Sequence, residues 1–292
     1  PPGYDTLGML LTALLYRVSI EQFGYLRNGL YNLPDPVPEE LLRPFGEFAK
    51  SNALDQGALD LIFMFASGTG NMLETPLLYV LQDFGIAHVD ALLSGYITPT
   101  DGVAELYRKA TAAIGKKNIM FGSKAARVTR TPNSGVRIVV QNSSSGKRML
   151  VKAKKLLVAF PPTMDNMQPF DLDASERELF QKYYWKSYFG AVVNNTGIPV
   201  GVSVTNRDPS EPYSLPVPPF QWQLSYMGVP GYVTSKLIAD ANFTAKEAKD
   251  LILSSIRRMD GTYPIEDPEI TAFADHTPST MMVPVEDIRA GF

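Results

Sequence analysis

Cysteine is missing from all 292 residues. That excludes disulfides, thiol nucleophiles and zinc–thiolate sites. Histidine is nearly as scarce, with His88 and His276 the whole supply. A two-histidine metal motif or a Ser-His-Asp triad would need one or both, and neither stands in motif context. Both therefore read as surface or structural histidines, and no metal site is expected. Gly-x-Ser-x-Gly is absent too, which argues against an α/β hydrolase. Charge of one sign is lacking: the net charge of −3 leaves no footprint for nucleic acid. The longest basic cluster, Lys152-Ala153-Lys154-Lys155, reads as the solvated end of a strand. No apolar run is long enough to span a bilayer, and no secretory signal is expected at the start. Sequons at Asn142, Asn194 and Asn242 leave a secreted or extracellular location open.

What is present is a large apolar fraction, 45%, enough for one large domain or two ordinary ones. Residues 1–97 read as mostly helical. Leu7, Leu10, Leu11, Leu14 and Leu15 repeat at helical spacing, and Val18 continues the row. Leu33-Pro34-Asp35-Pro36-Val37-Pro38 is a rigid linker. Pro38 opens the next helix, with Glu39 and Glu40 at its positive end and Leu41, Leu42, Phe45 and Phe48 as its apolar residues. A further helix over 55–65 presents Leu59, Ile62, Phe63 and Ala66. Ser67-Gly68-Thr69-Gly70 stops it; the Gly-Lys-Ser/Thr ending of a phosphate loop is missing there. Another helix covers 76–84.

After the turn at 96–102, Val103, Leu106, Tyr107, Ala110 and Ile114 form one apolar stripe, and Gly115 ends that helix. Strands follow at 119–121, 126–130, 136–140 and 149–154, punctuated by Pro132-Asn133-Ser134-Gly135 and Asn142-Ser143-Ser144-Ser145-Gly146. Leu156-Leu157-Val158-Ala159-Phe160 is apolar at consecutive positions and is expected to be a strand buried on both faces, stopped by Pro161-Pro162. Beyond it, Asp173-Ala174-Ser175-Glu176 and Thr244-Ala245-Lys246-Glu247 have the spacing of capping boxes. Leu179, Phe180 and Tyr183 line the first of these helices, and Leu251, Ile252, Ser255 and Ile256 the second. Strands are expected over 188–193, 200–204, 232–238 and 270–274, with the proline-rich 209–219 as a surface loop.

The run from Tyr96 to Pro162 resembles the middle of the flavin-dependent amine oxidase family. The matching residues are Asp101-Gly102 with Leu106, Ile119-Met120-Phe121, Val128 with Arg130, the strand 136–140, and Val158-Ala159-Phe160-Pro161. Leu33-Pro34-Asp35-Pro36-Val37-Pro38-Glu39 and Asn195-Thr196-Gly197-Ile198-Pro199 are similar to fungal members. The resemblance implies an α/β fold of mixed α+β character: a partial FAD-binding Rossmann-like domain (98–163), and a helical and mixed-sheet substrate domain built from 1–97 and 164–292. It implies FAD as cofactor, with Val128 holding the adenine through its backbone, and Ala159 and Pro161 at the crossing between domains. Val128 is equally readable as a core strand valine. The family's Gly-x-Gly-x-x-Gly occurs nowhere here, and Asp101 replaces its first turn glycine, so the chain reads as a central fragment.

The implied reaction is hydride transfer from a carbon next to an amine nitrogen to the flavin, with the isolated fragment inactive and unable to hold FAD tightly. The implied partner is a small molecule, an amine or alkaloid-like compound. Such chemistry favours an apolar, aromatic pocket. Phe220, Trp222 and Tyr226 are the substrate-binding candidates, although aromatics at strand spacing are also ordinary core. No catalytic residue is assigned; Lys186 lies near the strand where family members place a lysine beside the flavin. The other reading is a non-catalytic remnant or binding module of the same fold. Strands missing beside 156–160 would leave an unpaired, aggregation-prone edge.

Overall fold

A computed structural model describes residues 6–97, 99–132 and 134–292, with side chains from residue 8 onward. The side chain of Leu7, residue Thr98 and the turn residue Asn133 lie outside the described residues. The chain forms two compact units: Pro1–Ser94 with Tyr184–Phe292, and Gly95–Tyr183.

The first unit begins with helices α1 (Thr6–Ser19), α2 (Glu39–Leu42), α3 (Phe45–Ser51), α4 (Gln56–Ala66), α5 (Leu77–Asp83) and α6 (Ile86–Ser94). The helix expected from Pro38 onward is two helices, because Pro44 lacks an N–H and cannot sit inside one. In α4 the Asp55 carboxylate accepts from the Ala58 N–H at 2.8 Å, and Leu59, Ile62, Phe63 and Ala66 are all buried, as the spacing predicts. α1 is the exception. Leu10, Leu11, Leu14, Leu15 and Val18 are exposed, Val18 by 74%, while Ala13, Tyr16 and Ile20 face the core. Both sides of this helix are apolar, and polar anchors choose between them. The Tyr16 hydroxyl donates to the Phe84 carbonyl (2.9 Å), and Arg17 pairs with Asp90 (2.8 Å). The stretch Leu77–Ser94 meets the length and hydropathy of a bilayer span, but it is half buried and is broken between α5 and α6.

The second unit holds α7 (Gly102–Ile114), an antiparallel meander of β1 (Ser123–Thr131), β2 (Gly135–Asn142) and β3 (Arg148–Ala153), then α8 (Met164–Met167) and α9 (Ala174–Gln181). Gly135 is obligatory at the hairpin: its φ is +82°, and a Cβ there would sit 2.3 Å from the Ala153 carbonyl oxygen. Residues 119–121 are not a strand, and neither is 156–160. Leu156, Leu157 and Phe160 are exposed, Leu157 by 89%. A strand buried on both faces needs neighbours on both sides, and no described strand pairs with this run. The α7 stripe is likewise uncovered, with Val103, Leu106, Tyr107 and Ile114 exposed.

The meander's own outer edge is protected. Val128 and Arg130 donate their amides to the Pro169 carbonyl (2.8 Å) and the Asp171 carboxylate (2.7 Å). The Arg130 guanidinium then pairs with Asp171 (2.8 Å) and Glu176 (2.5 Å). These contacts place 164–183 with the meander, and the compact unit runs from Gly95 to Tyr183. Glu176 also closes the capping box on Asp173, and Arg130 holds its carboxyl below the usual range. Arg130→Gln is therefore expected to cost about 1 kcal/mol and to speed amide exchange at Val128 and Arg130. Unchanged exchange at both amides would show that the arginine does not clamp this edge.

The first unit resumes with β4 (Tyr184–Asn194), β5 (Val204–Thr205), β6 (Phe220–Tyr226), β7 (Tyr232–Asp240), α10 (Ala245–Arg257), β8 (Glu269–Asp275), β9 (Ser279–Met282) and α11 (Val285–Arg289). The strands form one antiparallel sheet in the order β5-β6-β7-β4-β8, with β9 also on β4. One face, carrying Phe189, Leu237, Val193 and Leu224, packs against Ala248, Ile252 and Ile256 of α10. On the other, Tyr188, Phe220, Trp222 and Ile238 pack with the N-terminal helices. The expected strand at 200–204 shrinks to β5, and Val200 is exposed.

Candidate functional site

The helices cover only part of that second sheet face. Beyond Tyr188 it opens into a cavity of about 330 Å³ lined by Tyr188, Gly190, Val192, Thr234, Lys236, Ala272, Ala274 and His276, with Ala191, Ser235 and Phe273. Register explains the opening. Gly190 on β4 lies directly between Lys236 on β7 and Ala274 on β8, and Val192 lies between Thr234 and Ala272. Directly paired residues project to one face. A residue without a side chain between Ala274 and a long lysine therefore leaves a notch. A glycine inside a strand often marks such a close approach.

The rim is polar and aromatic. The His276 amide donates to the Tyr188 carbonyl (2.9 Å), and its ring stacks on Tyr188 with centroids 5.4 Å apart. A Cβ built on Gly190 would lie 3.6 Å from His276 Nε2. The Lys236 ammonium sits 4.7 Å from the centre of the Trp222 ring, a cation–π contact, and burial lowers its pKa. Burial also raises the pKa of the Tyr188 hydroxyl.

Lys186, two residues before Tyr188 on β4, is held in an ion pair. Its Nζ pairs with Asp240 Oδ1 at 2.6 Å, and its stem lies against Gly70. Of the substrate candidates, Phe220 is buried in the core against Phe63 (5.7 Å between rings). Trp222 sits at a bulge between Gln221 and Gln223, reaching the cavity only through Lys236. Tyr226 lies at the end of β6, where its amide donates to Ser203 Oγ (3.1 Å). The three thus do not line one cavity.

The cofactor candidates all lie in the second unit. Val128 is buried and its N–H is taken by Pro169, so of the backbone pair that the resemblance implies only the carbonyl remains. Ala159 is exposed, and the Pro161 carbonyl accepts from the Thr163 amide and from Asn166 Nδ2, both at 2.9 Å. These three residues do not by themselves form a flavin cradle. The backbone of β1 does leave its ladder at a bulge between Ala125 and Arg127, one turn of the pleat before Val128.

Comparison with known proteins supplies the relationship. The chain is 38% identical over 276 residues to "Beta-cyclopiazonate dehydrogenase" of Aspergillus oryzae, covering 94% of this chain and 59% of that protein. It is 33% identical over 290 residues to an FAD-dependent oxidoreductase of Cochliobolus heterostrophus, covering 95% and 59%. The chain is similar over most of its length to fungal FAD-dependent oxidoreductases. It spans 59% of the length of these relatives. No protein-family model matches it. Among solved structures, a fatty acid isomerase from P. acnes superposes with a TM-score of 0.72 at 21% identity, covering all of this chain and 67% of that one. That likeness extends over both units and concerns the fold.

Gly190, Lys236 and His276 escape sequence reasoning because β4, β7 and β8 are far apart in the chain. The one local sign is Gly190 itself, inside the otherwise bulky run Phe189-Gly190-Ala191-Val192-Val193.

Proposed function

We propose that the protein is an FAD-dependent oxidoreductase of amine-oxidase type, acting on a small amine or alkaloid-like molecule by removing hydride from a carbon next to nitrogen. The observation that carries this reading is the similarity over 95% of the chain to an oxidoreductase named as FAD-dependent, beside that over 94% of the chain to one named a dehydrogenase. The flavin, when bound, supplies the hydride acceptor, and the protein's part is to bind, orient and exclude water. Gly190, Ala272 and Ala274 give a substrate a shallow floor, and Tyr188 with His276 gives it an aromatic wall.

A second reading is favoured by one contact. With the Val128 amide held by Pro169, the same fold could serve as a binding module without flavin. An absorption spectrum of the purified full-length protein separates the two. The oxidoreductase reading expects flavin bands near 375 and 450 nm (on the order of one FAD per chain, released by denaturation). A colourless full-length protein that added FAD cannot reconstitute would overturn it and support the binding module.

A further inference from the structure

The cavity over Gly190 contains a charge with which no carboxylate is paired among the described residues. Its lining has no aspartate or glutamate. Lys236 is half-buried, and among the described residues its recorded partner is the Trp222 ring rather than a carboxylate. The contrast with Lys186 is direct: on the neighbouring strand, that lysine has Asp240 at 2.6 Å. A half-desolvated ammonium without a counterion is costly, and its lowered pKa reflects that cost. Elsewhere in this unit the comparable cavity, lined by Asp60, Phe63 and Tyr263, holds an Arg207–Asp60 pair and is already neutralised.

We propose that the notch over Gly190 is an anion subsite in which Lys236 receives a carboxylate of the small-molecule substrate. The geometry favours a molecule that presents one carboxylate on a largely apolar body. One lysine is a single point charge, unlike the clusters of arginine and backbone N–H groups that gather phosphates. Around it stand Val192, Ala272, Ala274 and the Tyr188–His276 stack, surfaces suited to a hydrocarbon or ring. The missing side chain at Gly190 lets the ligand come down onto the sheet beside the ammonium. This deepens the oxidoreductase reading by naming a feature of its substrate, and it can fail or hold separately from the flavin.

The test uses 3-phenylpropionate and its neutral amide, titrated calorimetrically into the full-length protein. The acid is expected to bind at least about tenfold more tightly than the amide. Lys236→Met should abolish that preference and Lys236→Arg should keep it. Lys186→Met should also keep it, because that lysine is already paired. Gly190→Leu, which fills the notch while leaving Lys236 in place, should weaken both ligands. Circular dichroism of each variant confirms that the fold is retained. Equal binding of acid and amide, a preference that survives Lys236→Met, or no binding of the acid at ~10 mM would overturn the proposal. None of these readouts involves turnover. A colourless protein that prefers the acid would sink the flavin reading alone, and a yellow protein indifferent to the acid would sink this one alone.

Discussion

Phe84→Ala is expected to destabilise the first unit by about 3–5 kcal/mol, the range for removing a fully buried phenylalanine. Phe84 is completely buried at the C-terminal end of α5, where it stacks on Phe65 with ring centroids 4.4 Å apart and on Tyr16 at 5.6 Å. Alanine would leave two aromatic faces without a partner and a cavity that α1, α4 and α5 can only partly close. Tyr16→Phe separates packing from hydrogen bonding. It keeps the stack but removes the donor to the Phe84 carbonyl, and should cost about 1–2 kcal/mol. Both tryptophans, Trp185 and Trp222, belong to the first unit. Urea unfolding followed by tryptophan fluorescence therefore reads the unit in which the change is made. A loss below about 1.5 kcal/mol for Phe84→Ala would mean that these helices close over the gap.

Elements encoded locally were legible in the sequence. The capping boxes at Asp173/Glu176 and Thr244/Glu247 form as their spacing predicts, because each is complete within four residues. The α4 face was legible because its apolar residues share one side, and the flavin relationship was legible from the motif remnants around Val158-Ala159-Phe160-Pro161. What failed needed partners distant in sequence. An apolar row on α1 says that a face exists, but Tyr16 and Arg17 decide through Phe84 and Asp90 which side turns inward. The run 156–160 has the composition of a buried strand and no strand beside it among the described residues. β6 was not expected although its sequence alternates apolar and polar from Phe220 to Tyr226; the bulge between Gln221 and Gln223 breaks only its pairing with β7. The candidate site was least legible of all: Gly190, Lys236 and Ala274 meet only through the register of three strands.

Asp83→Asn is expected to stabilise the protein, and to do so only above mildly acidic pH. Asp83 is mostly buried at the end of α5, and burial raises its pKa from 3.8 to about 6. Its carboxylate faces the Ser67-Gly68-Thr69 turn and β9: a Cβ on Gly68 would lie 3.3 Å from Asp83 Oδ2 and 3.4 Å from Thr280 Oγ1. No ion pair to it is found among the described residues, and the adjacent Ser67 hydroxyl is itself buried without a partner. The sign follows from proton uptake. A carboxyl whose folded pKa is raised holds its proton more tightly in the folded state, so stability falls as pH rises from about 4 to about 6. Above that range the charged, buried carboxylate imposes its full penalty. The shift from 3.8 to about 6 corresponds to roughly 3 kcal/mol at most. Asparagine keeps the shape without the charge, so its advantage should be absent near pH 4, grow through pH 5 and level off above pH 6. Urea unfolding of both proteins at several pH values measures this difference directly. A difference that stays flat across that window would mean that Asp83 is solvated or neutralised in the folded protein, and that the turn at Gly68 is more open than its geometry indicates.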